Sequence, residues 1–125
     1  MITKTERRAR AVAAEWATTA ARGYPVQIAI VWRHSRTWGL CPRLEWGREK
    51  IAYANGCGYD KLSTVLADVL RWLPDIDHNK IAGTMGAGES GVRQALAEYG
   101  YTLTHVYDGR HEDAFTLTRN RKEIP

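Results

Sequence analysis

Three groups of residues have the types and spacing for chemistry. The tract "WRHSRTWGLCPRLEWGR", residues 32–48, interleaves tryptophan with arginine. Guanidinium groups match phosphate oxygens in a planar fork, and exposed aromatic faces stack on nucleic-acid bases. Arg33, His34, Arg36, Trp38, Arg43 and Arg48 are therefore candidate nucleic-acid contacts. The segment "GTMGAGESGVRQAL", residues 83–96, spells G-x-G-x-x-G at Gly86, Gly88 and Gly91, the spacing of a loop that cradles a dinucleotide pyrophosphate. Near the C-terminus, His105, Asp108 and His111 are metal-ligating types close to one loop. Nothing in the sequence marks the hydrogen-bond partners that would orient such ligands, so no metal is assigned. Cys41 and Cys57 lack metal-site spacing, and no local signature supplies a histidine base to either thiol.

The glycine fingerprint works only inside a parallel βαβ unit, with a strand before it and a helical crossover after it. Here the preceding "NKIAGTM" is a poor strand, because Gly83 stands in its middle and only Ile81, Ala82 and Met85 are apolar. After Asp108 the chain turns back as a hairpin, and no crossover remains. The glycines are read instead as a sharp turn into a helix capped by Ser90 or Glu89. Anion binding by Gly86, Gly88, Ser90 and Gly91 would need only free backbone N–H groups. Glu89 opposes it by placing a carboxylate where the anion would sit. A nucleotide-binding enzyme is thus the least favoured function, and no cofactor is expected.

The 125 residues, 44% hydrophobic and 26% charged, fit one domain over 1–125 with one core. No apolar run reaches the roughly 18 residues that cross a bilayer, and the basic N-terminus leads into an alanine-rich amphipathic segment rather than a signal peptide. A cytoplasmic protein with reduced thiols and no membrane partner is expected. Charge is polarised. Residues 1–50 hold ten Lys and Arg against four acids, a net of +6, whereas the remainder holds eight against ten. A basic half of this kind faces an anionic partner or simply aids solubility.

Thr3 and Glu6 form a capping box, and Ala9, Val12, Ala13, Trp16, Ala17 and Ala20 recur at helical spacing, with Arg7, Arg8 and Arg10 solvated beside them. Three antiparallel strands follow near 25–34, 38–46 and 50–54. A three-residue loop at Ser35–Thr37 sets Trp32 opposite Leu40, Ile30 opposite Pro42, Ile28 opposite Leu44 and Val26 opposite Trp46. Trp32 and Trp46 then belong to the core, Arg33, Arg43, Gln27 and Glu45 occupy the other face, and Trp38 is exposed at a strand end. Pro42 must meet a gap, bulge or edge, because it has no N–H to give. Asp60 caps a second helix with a wide stripe from Leu62 to Leu73, ended by Pro74. Residues 75–90 read as a loop with at most one helical turn, and a short helix carries Val92, Ala95, Leu96 and Tyr99. In the last hairpin a three-residue loop, Gly109–His111, pairs Leu103 with Leu117 and His105 with Phe115. Residues 119–125 form a frayed tail.

The order helix, three antiparallel strands, helix over residues 4–73 resembles the double-stranded RNA-binding domain, and "GCGYDKLSTVLADVL" is similar to that family's entry into its last helix. On that resemblance Lys61 joins the candidate RNA contacts, while Leu62 and Thr64 stand where further lysines would be expected. The segment Gly56, Gly58, Tyr59, Asp60, Lys61 and Ser63 also resembles one that recurs in small proteins of bacterial phages and mobile elements, a resemblance that implies no activity. The expected fold is α+β, order α-β-β-β-α-α-β-β, with an antiparallel sheet whose helices lie on one face. The expected function is a non-enzymatic binding module whose basic sheet rim engages nucleic acid. The alternative is a protein-binding or inhibitory module, including a homodimer.

Overall fold

A computed structural model describes residues 2–120 except 57, 86 and 109–111, together with all described side chains but those of 59 and 108. It has the expected α+β architecture, with a five-stranded antiparallel sheet backed by helices. Helix α1, Lys4–Ala21, starts at Thr3, whose hydroxyl accepts from the Glu6 N–H at 3.1 Å. Such a cap is worth about 1 kcal/mol. Ala9, Val12, Ala13, Trp16 and Ala20 form its buried stripe. Arg8 and Arg10 are not merely solvated: Arg8 pairs with Glu49 at 2.7 Å, and Arg10 with Glu6 at 3.4 Å.

Strands β1 (Val26–Ser35), β2 (Gly39–Trp46) and β3 (Glu49–Tyr53) form a meander. Ser35 pairs with Gly39 across a three-residue loop at 36–38, one position later than expected. Trp32 therefore faces Pro42, and Ile30 faces Leu44. The shift is two residues in pairing, so the two-residue side-chain period keeps every residue on its expected face. The Ser35 hydroxyl chooses this loop by accepting from the backbone N–H groups of Thr37 (3.2 Å) and Trp38 (3.1 Å). Gly39 supplies the left-handed φ of +74° that lets the chain re-enter the sheet. Pro42 meets the predicted gap: its carbonyl accepts from Ala54 N–H at 3.3 Å, so its nitrogen also faces the β3 side, past the last pair Arg43–Tyr53. A bulge in β3 at Ile51 turns that extra residue into the core.

Helix α2, Tyr59–Leu70, begins at Gly58 rather than at Asp60. A φ of +115° reserves the cap for glycine and leaves Asp60 inside the first turn, where its carbonyl accepts from Ser63 and Thr64. Leu62, Val65, Leu66, Val69 and Leu70 are almost fully buried, as predicted for the main core helix. The segment expected to be mostly loop holds α3, His78–Ala82, capped by Asp77, whose carboxylate accepts from Asn79 N–H at 2.9 Å. Helix α4, Gly88–Ala97, has Ala87 at its cap with no side-chain bond, so neither Ser90 nor Glu89 caps it.

Strands β4 (Tyr101–Asp108) and β5 (Glu112–Arg119) complete the sheet in the order β3-β2-β1-β5-β4. Leu103 pairs with Leu117 and His105 with Phe115, as alternation requires. A register shift between His105 and Tyr107 then moves Tyr107 opposite Ala114. The turn itself lies outside the described residues. Arg119 ends β5 rather than starting a tail, and Asn120 N–H donates to Gly100 carbonyl at 2.7 Å. The helices bury the face carrying Val26, Ile28, Ile30, Leu44, Phe115 and Leu117. The opposite face, with Gln27, Ala29, Arg33 and Thr104, remains exposed. Trp16 fills the core as expected. Trp46 does not: it lies at the sheet margin, 39% exposed, edge-on to Trp16 at 5.8 Å between ring centres. No described helix is long and apolar enough to cross a membrane.

Candidate functional site

At the end of the open face formed by the β1–β2 loop and the C-terminus of β3, a concavity of about 320 Å³ gathers residues distant in sequence. Arg33, His34, Trp38 and Arg43 line it, as the tract 32–48 suggested, and β3 adds Lys50 and Tyr53. Alternation puts Arg33 and Arg43 on this face. Lys50 joins them because the bulge at Ile51 carries it opposite Glu45, back to the open side. Asn55, from the segment after β3, closes the lining.

The charges at this site are largely uncompensated. Arg33 Nε binds Glu45 Oε1 at 3.1 Å, an exposed pair of modest strength. Among the described residues neither Arg43 nor Lys50 has a carboxylate within 4.0 Å. Lys50 Nζ instead sits 4.1 Å above the Tyr53 ring. Trp38 is 58% exposed and Tyr53 52%. This is a cationic hollow with aromatic walls.

The other predicted contacts are dispersed. Arg36 stands exposed at the loop tip beside the hollow, outside its lining. Arg48 lies in the β2–β3 turn, at the opposite end of β2 from the β1–β2 loop and outside the hollow's lining. Lys61 is exposed in the first turn of α2, beside Gly56, whose N–H donates to Cys41 Sγ at 3.2 Å. Lys61 therefore flanks the same end of the molecule from the helix side. The proposed anion loop does not assemble: Gly86 lies outside the described residues, Gly88 is the first residue of α4, and Ser90 points to solvent. Glu89 occupies that helix end with its own carboxylate, as its position in the sequence implied.

That carboxylate belongs to a network missed in the sequence. His105 on β4 is held between two acids: its Nε2 lies 2.9 Å from Asp113 Oδ1 on β5, and its Nδ1 lies 2.8 Å from Glu89 Oε1, close but out of line for a hydrogen bond. Asp113 also accepts from Trp32 Nε1, and Glu89 binds Arg93 at 3.0 Å. The His105 ring stacks on Phe115 with centres 4.2 Å apart. The chain of contacts runs beneath β1, β5 and β4 on the helix-covered face. Its strand half was detectable, since alternation places His105 and Asp113 on the apolar face; Glu89 arrives from a helix that no sequence pattern docks there. Of the loop set considered for a metal, His105 is thus committed elsewhere, while the Asp108 side chain and His111 lie outside the described residues. No group of three or more metal-ligating side chains converges among the described residues.

A larger hollow, about 970 Å³, lies at the far end of the sheet between the C-termini of α1 and α4. Its lining mixes Arg22 and Arg119 with Glu98 and includes none of the predicted contacts. Volume alone does not mark the binding site, and the charge and aromatic lining favour the smaller hollow. No protein-family model, curated protein or solved structure matches this chain.

Proposed function

We propose that this protein is a non-enzymatic binding module that engages nucleic acid through the cationic hollow on its open sheet face. The observation that carries this reading is the convergence of Arg33, Arg43 and Lys50, from three strands, beside exposed Trp38 and Tyr53. Three like charges gathered with one carboxylate among them repel one another, a cost that an anionic ligand relieves. The most prominent titratable group elsewhere, His105, has both ring nitrogens facing carboxylates, which supports a scaffold role for it rather than acid–base catalysis. Binding to mixed-sequence DNA or RNA should weaken as salt rises, with a logarithmic slope of about −2 to −3 for three cation contacts. Arg43→Ala should reduce that slope by about 1 without changing the unfolding midpoint. Absence of binding at low salt would remove the reading.

A second reading rests on β4, one of the two edge strands of the sheet. Tyr101–Asp108 contains no Lys, Arg or Pro, and Val106 and Tyr107 are 55% and 56% exposed. An edge so lightly protected favours strand addition by a protein partner or a second copy. A strict monomer in light scattering at high concentration would exclude the homodimer.

A further inference from the structure

We infer that the hollow takes single-stranded nucleic acid, seating one unstacked base on the Trp38 indole with the adjoining phosphate against Arg43 and Lys50; the inference rests on the nucleic-acid reading above. Trp38 is the platform because the residue is more than half exposed and, among the described residues, carries no stacked ring or cation. Tyr53 differs: the Lys50 ammonium already covers one of its faces. Trp38 is also held ready, since its own N–H and that of Thr37 are tied to the Ser35 hydroxyl and Gly39 fixes the return of the chain. Ordering before binding lowers the entropic cost of stacking.

The same arrangement disfavours a duplex. Inside a double helix each base face is covered by its neighbours, so a lone indole platform has nothing to stack on. Reading a duplex through the major groove requires an inserted helix or a two-stranded ribbon. Here the helices pack on the opposite face, and the open side presents a hollow of about 320 Å³ rather than a ridge. The Asn55 side chain at its edge supplies amide donors and an acceptor for the edge of a base that is already unpaired.

The test is a set of titrations of the full chain at low salt with fluorescent oligonucleotides of about 12 nucleotides, within the footprint that one small sheet domain covers. Single-stranded DNA, single-stranded RNA and the corresponding duplexes form the arms. Single strands of at least one kind should bind about tenfold or more tighter than either duplex. Trp38→Ala should weaken single-strand binding by about fivefold to a hundredfold, the range for losing one base–aromatic stack. Trp38→Phe should restore most of the loss, which separates stacking from a disturbed loop. Equal affinity for duplex and single strand, or an indifferent Trp38→Ala, overturns this inference while leaving nucleic-acid binding intact. Binding in no arm overturns the underlying reading as well.

Discussion

Two polar clusters occupy the same end of the sheet, one on each face. Under the helices, Arg93, Glu89, His105, Asp113 and Trp32 contact one another in that order, and the side chains of His105 and Asp113 are only 12% and 4% exposed. On the open face, Arg33, Arg43 and Lys50 share a hollow with a single carboxylate partner, Glu45, among the described residues. Trp32 and Arg33 are sequence neighbours that serve opposite clusters, because adjacent strand residues point to opposite faces. The contrast separates two uses of charge. Buried groups must be paired within the chain, since an isolated buried charge is prohibitive. Solvated groups can be left unpaired at small cost and are then available to a ligand.

The largest expected effect breaks the buried cluster. Asp113→Ala leaves Trp32 Nε1 without its acceptor and His105 facing Glu89 alone, and should cost about 3 kcal/mol in urea denaturation, the scale for removing one partner of a buried ionic set. Nucleic-acid binding measured where the variant remains folded should be little changed; a loss of stability under about 0.5 kcal/mol, typical of plain surface sites, would show the cluster to be no scaffold.

A third set sharpens the comparison at the far end of the sheet. Burial, reinforced by a 2.8 Å hydrogen bond to Asp75, pushes the Tyr101 phenol up to about 12. Its folded value lies above the unfolded one near 10, so its contribution is complete below about pH 10 and is lost as pH rises towards about 12. Denaturation across that window should show the decline in the native protein, and Tyr101→Phe should flatten it. An identical alkaline decline in both proteins would refute the assignment to Tyr101.

The smallest effect tests the open face from its acidic side. Glu45→Gln releases Arg33 from its exposed ion pair, and titration should show affinity for nucleic acid rising about twofold to fivefold, as expected for freeing one surface pair. Weaker binding would mean that Glu45 positions Arg33 for the ligand instead of competing with it.

Much of this molecule is legible in its residues. Helical spacing marked α1 and α2, and alternation assigned the faces of β1, β2, β4 and β5 even though the first loop closes one residue later than expected. That error was harmless because a shift of two preserves the side-chain period. The placement of Trp46 failed for a different reason: a strand pattern gives a face but not how far the covering helices reach, and at the sheet margin an inward tryptophan remains partly wet. The caps of α2 and α4 were misplaced because Gly58 and Ala87 set the helix starts through backbone conformation, without the side-chain signature that points to Asp60 or Ser90.

Residue types and their spacing carry the α+β class, the inward and outward faces, and the enrichment of arginine and tryptophan in residues 32–48. Periodicity carries that information because side-chain direction follows from local backbone geometry. Which cations share a site was settled by the folded packing. It brought Lys50 and Tyr53 to Arg43 through a bulge and strand pairing, sent Arg48 to the other end, and joined Glu89 to His105 across α4 and β4. Contacts of this kind depend on strand order, bulges and helix docking, which arise from the packing of the whole core and leave no short-range mark in the chain.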